Sequence, residues 1–469
     1  MAYECLKGLE PADFFHWFGC IAKIPHGSFK EEKLVAFLAD FAEKRGFAYE
    51  TDQANNLLMR IPASKGYENQ PPFLFQAHMD MIWRADRPFD FETQPIDLQV
   101  IGNKLMAKGT TLGADNAVGL ATMLALADGN YPHPELELLF TTAEEEGMAG
   151  IRAFDCGKLK ARRMVNMDCG DSHVLCVSSA GSAVATAEKD YKTQAIPAGW
   201  QVWKLELSGG LGGHSGLAAN KGRACGGNLL GDLLLGKDLM LCSAFGQDPI
   251  MKEFQAVIAT DGDIAALQTR FAALKTICKD TDPDWQLTIT PAVAETALSV
   301  EASSDVVLAL STWRTGQVRA DGNLQTVIIT SSQLRQVELK DGRLRLDLSV
   351  RSASDADRDL LLDRYQALFA KLGLQLQVGR RTSGWQEDPE SNLRKQFAAN
   401  HERLFGYPLE LERVHGGVET GILLGKLPDM DAVGLAPTAR GAHTTGEYLL
   451  IDQVMPYWQL LTAVLAEKT

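Results

Sequence analysis

Residues 72–80, PFLFQAHMD, place a histidine and an aspartate at the end of an apolar run. Two further short apolar runs, PELELLFTTA (134–143) and RMVNMD (163–168), also end beside acidic residues. A helical pattern, DNAVGLATMLALADG (115–129), lies between the first and the second run. Strands that alternate with helices indicate an α/β layer, and ligands bind such sheets where the strands end. The runs therefore predict an α/β domain with a functional site at the strand ends.

The segment before these runs predicts an amphipathic helix. IPHGSFKEEKLVAFLADFAEKRGF (24–47) carries apolar residues at helical spacing and has Gly46 where the helix should end. Ser28, followed three residues later by Glu31, is typical of a capping box at the start of this helix.

From about residue 188 the pattern changes, and we expect an inserted second domain. Asp341-Gly342 separates two alternating runs and predicts a tight hairpin, and a helix is expected over residues 355–371. A second helix is expected across NKGRACGGNLLGDLLLG (220–236). GWQEDPESN (384–392) is rich in turn residues and predicts the return to the first domain. The expected division is residues 1–187 with 384–469 for the first domain, and 188–383 for the inserted one.

The composition limits the classes of partner that the protein is expected to bind. There are 60 acidic side chains against 46 Lys and Arg, and the net charge of -14 repels phosphate backbones and anionic lipid. No apolar run reaches the roughly 18 residues of a membrane span, and the first residues do not resemble a secretion signal. Eight cysteines without a C-x-x-C pair predict reduced, mostly buried thiols. We therefore expect a cytoplasmic protein without nucleic-acid or membrane partners.

Two motifs place candidate metal ligands beside the first run. His78 and Asp80 are two positions apart and face the same side of a strand, where Asp80 can accept the second ring N–H of His78. Asp115 follows a glycine-containing loop at the start of a helix, where a carboxylate can cap the helix or bridge two cations. A structural histidine and a capping aspartate are the alternative interpretations.

Acidic residues and a second histidine complete a possible ligand set. Glu144, Glu145 and Glu146 follow a strand directly, and three adjacent carboxylates should raise the pKa of at least one of them unless cations are present. A solvated charged surface is the alternative. Two histidines and three carboxylates suit zinc or a similar divalent ion, and this set consists of His78, Asp115, Glu145, Asp168 and His443.

The order of these residues along the chain resembles that in the M20 metallopeptidases. It is His78-x-Asp80, Asp115, Glu144-Glu145, Asp168, Gly-Gly-His214 and His443. Within these peptidases the chain is most similar to the M20C group, the bacterial aminoacyl-histidine dipeptidases, from about residue 24 to the last helix. The resemblance implies a two-domain di-zinc peptidase with an α/β catalytic domain and an inserted α+β lid and dimerisation domain. It implies a homodimer that cleaves dipeptides, including those that end in histidine, such as β-alanyl-histidine. Two Zn²⁺ ions per subunit are implied, with Mn²⁺ or Co²⁺ as alternatives.

The resemblance also implies roles for single residues. The implied ligands are the bridging Asp115, with His78 and Asp168 on one ion and Glu145 and His443 on the other. Glu144 would be the general base, Asp80 would support His78, and Glu146 would be an extra, solvent-facing acid. Two cations about 3.5–4 Å apart would lower the pKa of a shared water and polarise the scissile carbonyl.

Three implied roles lie outside the metal ligands. His214 resembles the family histidine that reaches the active site of the partner subunit and helps to hold the oxyanion; a histidine in a flexible glycine turn is the alternative. Arg351 resembles the arginine that binds the substrate carboxylate; an exposed cation at a strand end is the alternative. Glu419 and His415 match a further family motif, and we place Glu419 with the substrate-binding residues.

Other functions fit the same ligand set. An N-acyl amino acid hydrolase or a carboxypeptidase would share the metal centre, and a non-catalytic metal-binding protein would need only the ligands. Glu144 argues against the last, since a base that is not a ligand has no use in metal storage. The family turn Gly-Gly-x-x-x-Asn-Ala-Ile-Pro is not recognisable between about residues 240 and 300, which leaves the enclosure of the substrate side chain undefined.

Overall fold

The computed structural model describes residues 3–216, 218–322, 324 and 326–468. The strands in chain order are β1 (Ala48–Thr51), β2 (Leu57–Ile61), β3 (Phe73–His78), β4 (Leu98–Ile101), β5 (Lys104–Ala107), β6 (Leu136–Thr141), β7 (Arg163–Asn166), β8 (Val174–Ser179), β9 (Gly181–Asp190), β10 (Thr193–Ala195), β11 (Gln201–Ser208), β12 (Met240–Gln247), β13 (Phe254–Thr260), β14 (Gln286–Pro291), β15 (Thr296–Leu298), β16 (Gly316–Ala320), β17 (Ile328–Lys340), β18 (Arg343–Ser352), β19 (Gln375–Thr382), β20 (Glu410–Val414), β21 (Asp431–Gly434), β22 (Ala439–Arg440) and β23 (Tyr448–Leu450). The helices are α1 (Ala12–Ile21), α2 (Glu32–Arg45), α3 (Ala114–Asp128), α4 (Ala149–Ala153), α5 (Gly226–Leu234), α6 (Ala265–Cys278), α7 (Val300–Thr312), α8 (Asp355–Lys371), α9 (Asn392–Phe405), α10 (Glu419–Lys426) and α11 (Ile451–Ala466), with single 3₁₀ turns at Glu4–Leu6 and Cys156–Lys158.

The chain divides into two compact units, each with its own sheet and core. The first unit comprises Met1–Ser178, Trp385–Val414 and Val418–Thr469, and the second comprises Ser179–Gly384 and His415–Gly417. The expected boundary between residues 187 and 188 falls inside β9, which pairs with both β18 and β19 and so belongs to the second unit. The expected return at residue 384 lies beside the observed one at Trp385.

The main sheet of the first unit has the strand order β1-β2-β6-β3-β7-β21-β8-β20. The neighbours β6, β3, β7 and β21 run parallel, whereas β1 and β2 are antiparallel to their neighbours. A smaller sheet has the order β22-β23-β5-β4. The α/β layer expected from the apolar runs is therefore confirmed.

Helices cover both faces of this sheet, which explains why its strands are apolar runs rather than alternating patterns. On one face Phe73 and Phe75 pack in a core that includes α1, α3 and α11. On the other face Leu74 packs with residues of α4 and α10, including Ile151 and Leu423. Successive side chains of β3 thus enter different cores, as the period of a strand requires.

The helix predicted over residues 24–47 is present as α2, and Gly46 ends it in the left-handed conformation with φ 70°. The predicted capping box is wrong. Ser28 donates its hydroxyl to Asp80 Oδ2 at 2.8 Å, and Glu31 accepts the backbone N–H of Ala143 at 2.9 Å. Both side chains therefore bond to segments that follow β3 and β6.

The second unit has a sheet in the order β14-β11-β13-β12-β17-β18-β9-β19, and β16 pairs with β17. Its buried side chains pack with α5, α6, α7 and α8, while alternate residues such as Arg345 and Asp347 are half-buried. The predicted hairpin is confirmed: Lys340 pairs with Arg343, and both turn residues have positive φ. Helix α8 begins and ends where it was predicted.

The helix expected over residues 220–236 is shorter than predicted: it spans Gly226–Leu234, and residues 220–225 are not helical. The eight cysteines are all free, as expected, and five of them are buried. A search of the described helices finds none that is both long enough and apolar enough to cross a membrane.

Candidate metal centre

Three neighbouring parallel strands bring three of the five candidate ligands, and Glu144, to one edge of the sheet. His78 is the last residue of β3, Glu144 and Glu145 follow β6, and Asp168 follows β7. The order β6-β3-β7 makes these strands direct neighbours. Because the carboxyl ends of parallel strands lie at the same edge, side chains from distant parts of the sequence meet there.

One group of candidate ligands consists of His78, Asp115 and Asp168, whose donor atoms lie within 4.8 Å of one another. His78 Nε2 lies 2.9 Å from Asp115 Oδ1 and 3.3 Å from Asp168 Oδ1. His78 Nδ1 lies 3.0 Å from the carbonyl oxygen of Asp80, which places the proton of the neutral ring on Nδ1. The Nε2 lone pair of that ring therefore faces two carboxylate oxygens, an arrangement that a cation would stabilise.

Asp115, Glu145 and His443 form the second group. His443 Nε2 lies 2.7 Å from Glu145 Oε1 and 3.4 Å from Asp115 Oδ2. Asp115 thus directs one carboxylate oxygen to each histidine, as a bridging ligand would. It does not cap α3, whose N-cap is Gly113 without a side-chain bond. All five predicted ligands are brought together, and Asp115 is the shared one.

The electrostatics of the centre favour positive charge. Hydrogen bonds to Asp115 and then Glu145 raise the pKa of His443 to about 10. Burial raises the pKa of Asp168 to about 6, against the attraction of the histidine beside it. Burial and then the neighbouring Asp168 raise the pKa of Glu144 well above its usual value. The carboxylates outnumber the histidines, so the centre has an excess of negative charge and its side chains hold their protons more tightly. Divalent cations would neutralise the same excess.

The donor set fits divalent metal ions. Imidazole nitrogen and carboxylate oxygen are ligands that zinc accepts, and no thiol takes part. The two groups share one carboxylate, so the residues present offer two adjacent sets of donor atoms.

Glu144 lies beside both groups. Its carboxylate forms a further cluster with His78 and Glu145, with ligand atoms within 4.8 Å of one another. It is therefore close enough to exchange a proton with a molecule held at the centre. Glu146 is exposed, as expected.

Asp80 holds the backbone of the acidic segment. Its Oδ1 accepts the N–H of Glu144 at 2.9 Å, and its Oδ2 accepts the N–H of Glu145 at 3.2 Å. The expectation that its carboxylate supports His78 stays a prediction: Oδ1 lies 3.4 Å from His78 Nδ1, and the carbonyl oxygen of Asp80 lies nearer, at 3.0 Å. The same carboxylate also accepts the hydroxyl of Ser28, at 2.8 Å from Oδ2.

A buried polar network lies behind the ligands. Gln76, two residues before His78, donates to Glu419, and Thr141 donates to the same Glu419 oxygen at 2.6 Å. Asn166, two residues before Asp168, donates to Gln76 Oε1 at 2.6 Å. These bonds join the strands that carry the ligands.

The assignment of Glu419 to the substrate-binding residues stays a prediction. The residue is 1% exposed at the start of α10, and its carboxyl group bonds to strand side chains. Burial raises its pKa to about 8. Its contacts are those of a residue that supports the centre from within the protein.

Sequence analysis missed two further buried carboxylates at the centre. Glu447 accepts backbone N–H groups from the loop before Asp115, and Glu31 accepts the N–H of Ala143, next to Glu144. A signal was present for Glu447, which is an acidic residue close after His443 in a loop of small residues. Glu31 was mistaken for part of a helix cap.

A separate cluster lies within the second unit. Arg351 Nε donates to Ser215 Oγ at 3.2 Å, and no ion pair joins Arg351 to a carboxylate in the described part of the chain. The backbone N–H of Gly216 lies 3.2 Å from His214 Nδ1, so the neutral ring carries its proton on Nε2 and can donate it. Burial and then Arg351 lower the pKa of His415 to about 4. The cluster thus offers a cation and neutral donors to an anionic group.

Comparisons with known proteins agree with this geometry. The profile of peptidase family M20/M25/M40 matches residues 74–467. The cytosol non-specific dipeptidase of Escherichia coli K12 is 32% identical over 478 aligned positions, which span 98% of this chain and 99% of that protein. The crystal structure of an aminoacylhistidine dipeptidase from Vibrio alginolyticus has a TM-score of 0.92 at 28% identity, with 99% of this chain and 98% of that one covered. The aminopeptidase PepT of Bacillus cereus shares the fold, with a TM-score of 0.61 at 15% identity over 98% of each chain.

Proposed function

The chain belongs to peptidase family M20/M25/M40 and is a metal-dependent peptide-bond hydrolase, and from this premise we propose that it hydrolyses dipeptides at a pair of divalent ions. The observation that carries the proposal is the pair of ligand groups that share Asp115, with the Glu144 carboxylate beside them.

The names of two relatives support dipeptides as the substrate class. The Escherichia coli relative is a cytosol non-specific dipeptidase, the Vibrio alginolyticus structure is an aminoacylhistidine dipeptidase, and both align over nearly the whole chain. We propose that substrates carry a free amino end and a free carboxyl end, and that histidine is accepted at the second position, as in β-alanyl-histidine. A cytoplasmic location is part of the same proposal.

The proposed ions are two Zn²⁺ per subunit, or Mn²⁺ or Co²⁺ in their place. His78 and Asp168 would hold one ion, Glu145 and His443 the other, and Asp115 both. When bound, the ions supply Lewis acidity that polarises the scissile carbonyl and lowers the pKa of a water molecule.

The residues of the chain would divide the remaining work. Glu144 accepts the proton of the attacking water and delivers it to the departing amine. Asp80 keeps Glu144 and Glu145 in place through their backbone N–H groups. His214 donates from Nε2 to the developing oxyanion, and Arg351 binds the substrate carboxylate with its planar guanidinium.

The proposal is tested by release of free amino acids from a dipeptide panel with zinc restored. The panel contains β-alanyl-histidine, glycyl-histidine, leucyl-glycine and an N-acetylated amino acid. Glu144→Gln should abolish turnover and retain both ions, whereas Glu146→Gln, at the exposed neighbour, should leave turnover unchanged. Cleavage of the acetylated compound alone would assign a deacylase instead. Absence of zinc-dependent turnover on every compound would overturn the proposal.

We also propose a homodimer in which His214 serves the metal centre of the partner subunit. The support is the family resemblance of the Gly-Gly-His214 motif. His214→Ala and Glu144→Gln should each be inactive alone, and co-expression should restore activity, because a mixed dimer contains one site with both intact residues. Activity that stays absent in purified mixed dimers would contradict action across the dimer.

A further inference from the structure

Glu447 is a buried residue, 2% exposed. In the described structure, all the hydrogen bonds of its carboxylate go to the backbone between Leu112 and Asp115. Its Oε2 accepts the backbone N–H of Leu112 at 2.8 Å and that of Gly113 at 2.9 Å. Its Oε1 accepts the backbone N–H of Asp115 at 3.1 Å. Both carboxylate oxygens are therefore used to hold one short stretch of backbone.

This stretch of backbone is not stabilised by helical hydrogen bonds of its own. Gly113 has φ 71°, and the φ and ψ of Asp115 are -83° and 98°, so the helical hydrogen-bond pattern of α3 is not yet established there. Leu112 and Ala114 are buried, so water does not reach the backbone between them freely. Without Glu447, three N–H donors would lose their acceptor in a buried place.

The position of Glu447 in the chain connects two ligands. It lies in the segment between β22 and β23 that also carries His443, and its bonds end at the backbone of Asp115. Asp115 and His443 both belong to the second ligand group, and Asp115 belongs to the first group as well. A shift of this backbone would therefore disturb the ligands of both ions.

We infer that Glu447 is a positioning residue that sets the orientation of the bridging carboxylate Asp115 and so the affinity for both metal ions. The inference rests on the proposed function, since it requires that Asp115 is a ligand. Loss of a residue that orients a ligand typically weakens metal binding by about 10- to 100-fold.

The test measures metal affinity and coordination, not turnover. Glu447→Gln retains the size of the side chain but replaces one acceptor oxygen by an amide that faces N–H donors. Zinc affinity is measured by competition with a chromogenic chelator, and the visible spectrum of the Co²⁺-loaded protein reports the ligand geometry. Glu447→Asp keeps the charge and shortens the reach, and it replaces the first variant if that one does not fold.

Glu137 provides a matched control. It is also a fully buried glutamate in the first unit: its Oε2 accepts the backbone N–H groups of Lys160 and Ala161, both at 2.9 Å, and its Oε1 accepts Arg60 Nε–H at 3.4 Å. Glu137→Gln should lower the melting temperature of the metal-free protein while the zinc affinity and the Co²⁺ spectrum remain those of the unaltered protein.

The expected result for Glu447→Gln is zinc binding about 10- to 100-fold weaker, with an altered Co²⁺ spectrum. Unaltered affinity and an unaltered spectrum in the folded Glu447 variant would overturn the inference, whatever the change in melting temperature. Failure of the unaltered protein to bind two ions would instead overturn the proposed function, so the two failures are distinguishable.

Discussion

At the level of single residues, the centre depends on carboxylates that accept backbone N–H groups. Asp80, Glu31 and Glu447 each bond to the backbone at or beside the proposed base or a candidate ligand. Hydrogen bonds to a charged acceptor contribute roughly 1.5–3 kcal/mol each, more than neutral ones. These buried acids therefore fix the backbone of the proposed base and of the candidate ligand Asp115.

Glu31→Ala should lower kcat by roughly 10- to 100-fold with little change in KM. Glu31 holds the N–H of Ala143, which has φ 48°, a strained value for alanine, directly before Glu144. Without this bond the proposed base would lose its fixed position, while the ligands would stay in place. Steady-state kinetics with a parallel zinc count check this; an equal loss of zinc affinity would show that Glu31 supports the ligands instead.

Glu419→Gln should stabilise the metal-free protein more at pH 8 than at pH 5.5. The pKa of Glu419 is raised to about 8 by burial, so between its ordinary pKa and about 8 the folded state holds a proton that the unfolded state has lost. The free energy of unfolding therefore falls as pH rises through this window, by up to about 1.4 kcal/mol per pH unit, and glutamine removes the effect. Urea unfolding at both pH values measures it; a pH-independent difference between the two proteins would contradict the prediction.

The candidate ligands could be predicted from their residue types, whereas the residues that support them could not. Histidine and acids at the ends of buried strands are unusual, so His78 and Asp168 could be found from sequence. A carboxylate that bonds to backbone N–H groups has no partner side chain in the sequence, so no pairing pattern marks Glu31, and only its place close after His443 marks Glu447. Gln76 and Asn166, polar residues inside apolar runs, were a usable signal that sequence analysis passed over.

At the level of elements, the loop that carries His214 is held at both ends by one residue. Asp282, which is fully buried, accepts the N–H of Leu211 at 2.9 Å and the N–H of Ala224 at 3.2 Å. Thr281 adds a bond from its hydroxyl to the carbonyl oxygen of Gly222 at 2.8 Å. The segment after α6 thus fixes the loop between β11 and α5.

Asp282→Asn should lower kcat and leave zinc affinity unchanged. An amide offers only one acceptor oxygen, so one end of the loop would lose its bond and His214 its fixed place. Hydrogen exchange over residues 209–224 should become faster while exchange in β3 stays the same. Unchanged exchange in the loop, or a loss of zinc affinity, would be inconsistent with this role.

Elements with regular patterns were predicted well, and their ends less well. The Asp341-Gly342 turn and the limits of α8 follow from local chemistry, and both are present as expected. Ala224, two residues before α5, and Ser28 bond to distant partners, Asp282 and Asp80. Local sequence cannot identify such partners.

At the level of the whole molecule, metal removal should affect one of two unfolding transitions. Each unit has its own core, and all five candidate ligands belong to the first unit. Ligands that bind only the folded state raise its stability, so a chelator should lower the melting temperature of the first unit and leave that of the second. Calorimetry with and without chelator measures this; equal shifts of both transitions would show that the units unfold together.

Strand β21 has a consequence for synthesis on the ribosome. It lies between β7 and β8 in the main sheet, yet the whole inserted unit separates it from them along the chain. During translation, therefore, the inserted unit is complete while the sheet beside Asp168 still lacks its neighbour. His443 emerges later still, so the nascent chain cannot assemble the peptidase centre until its second unit has already had time to fold.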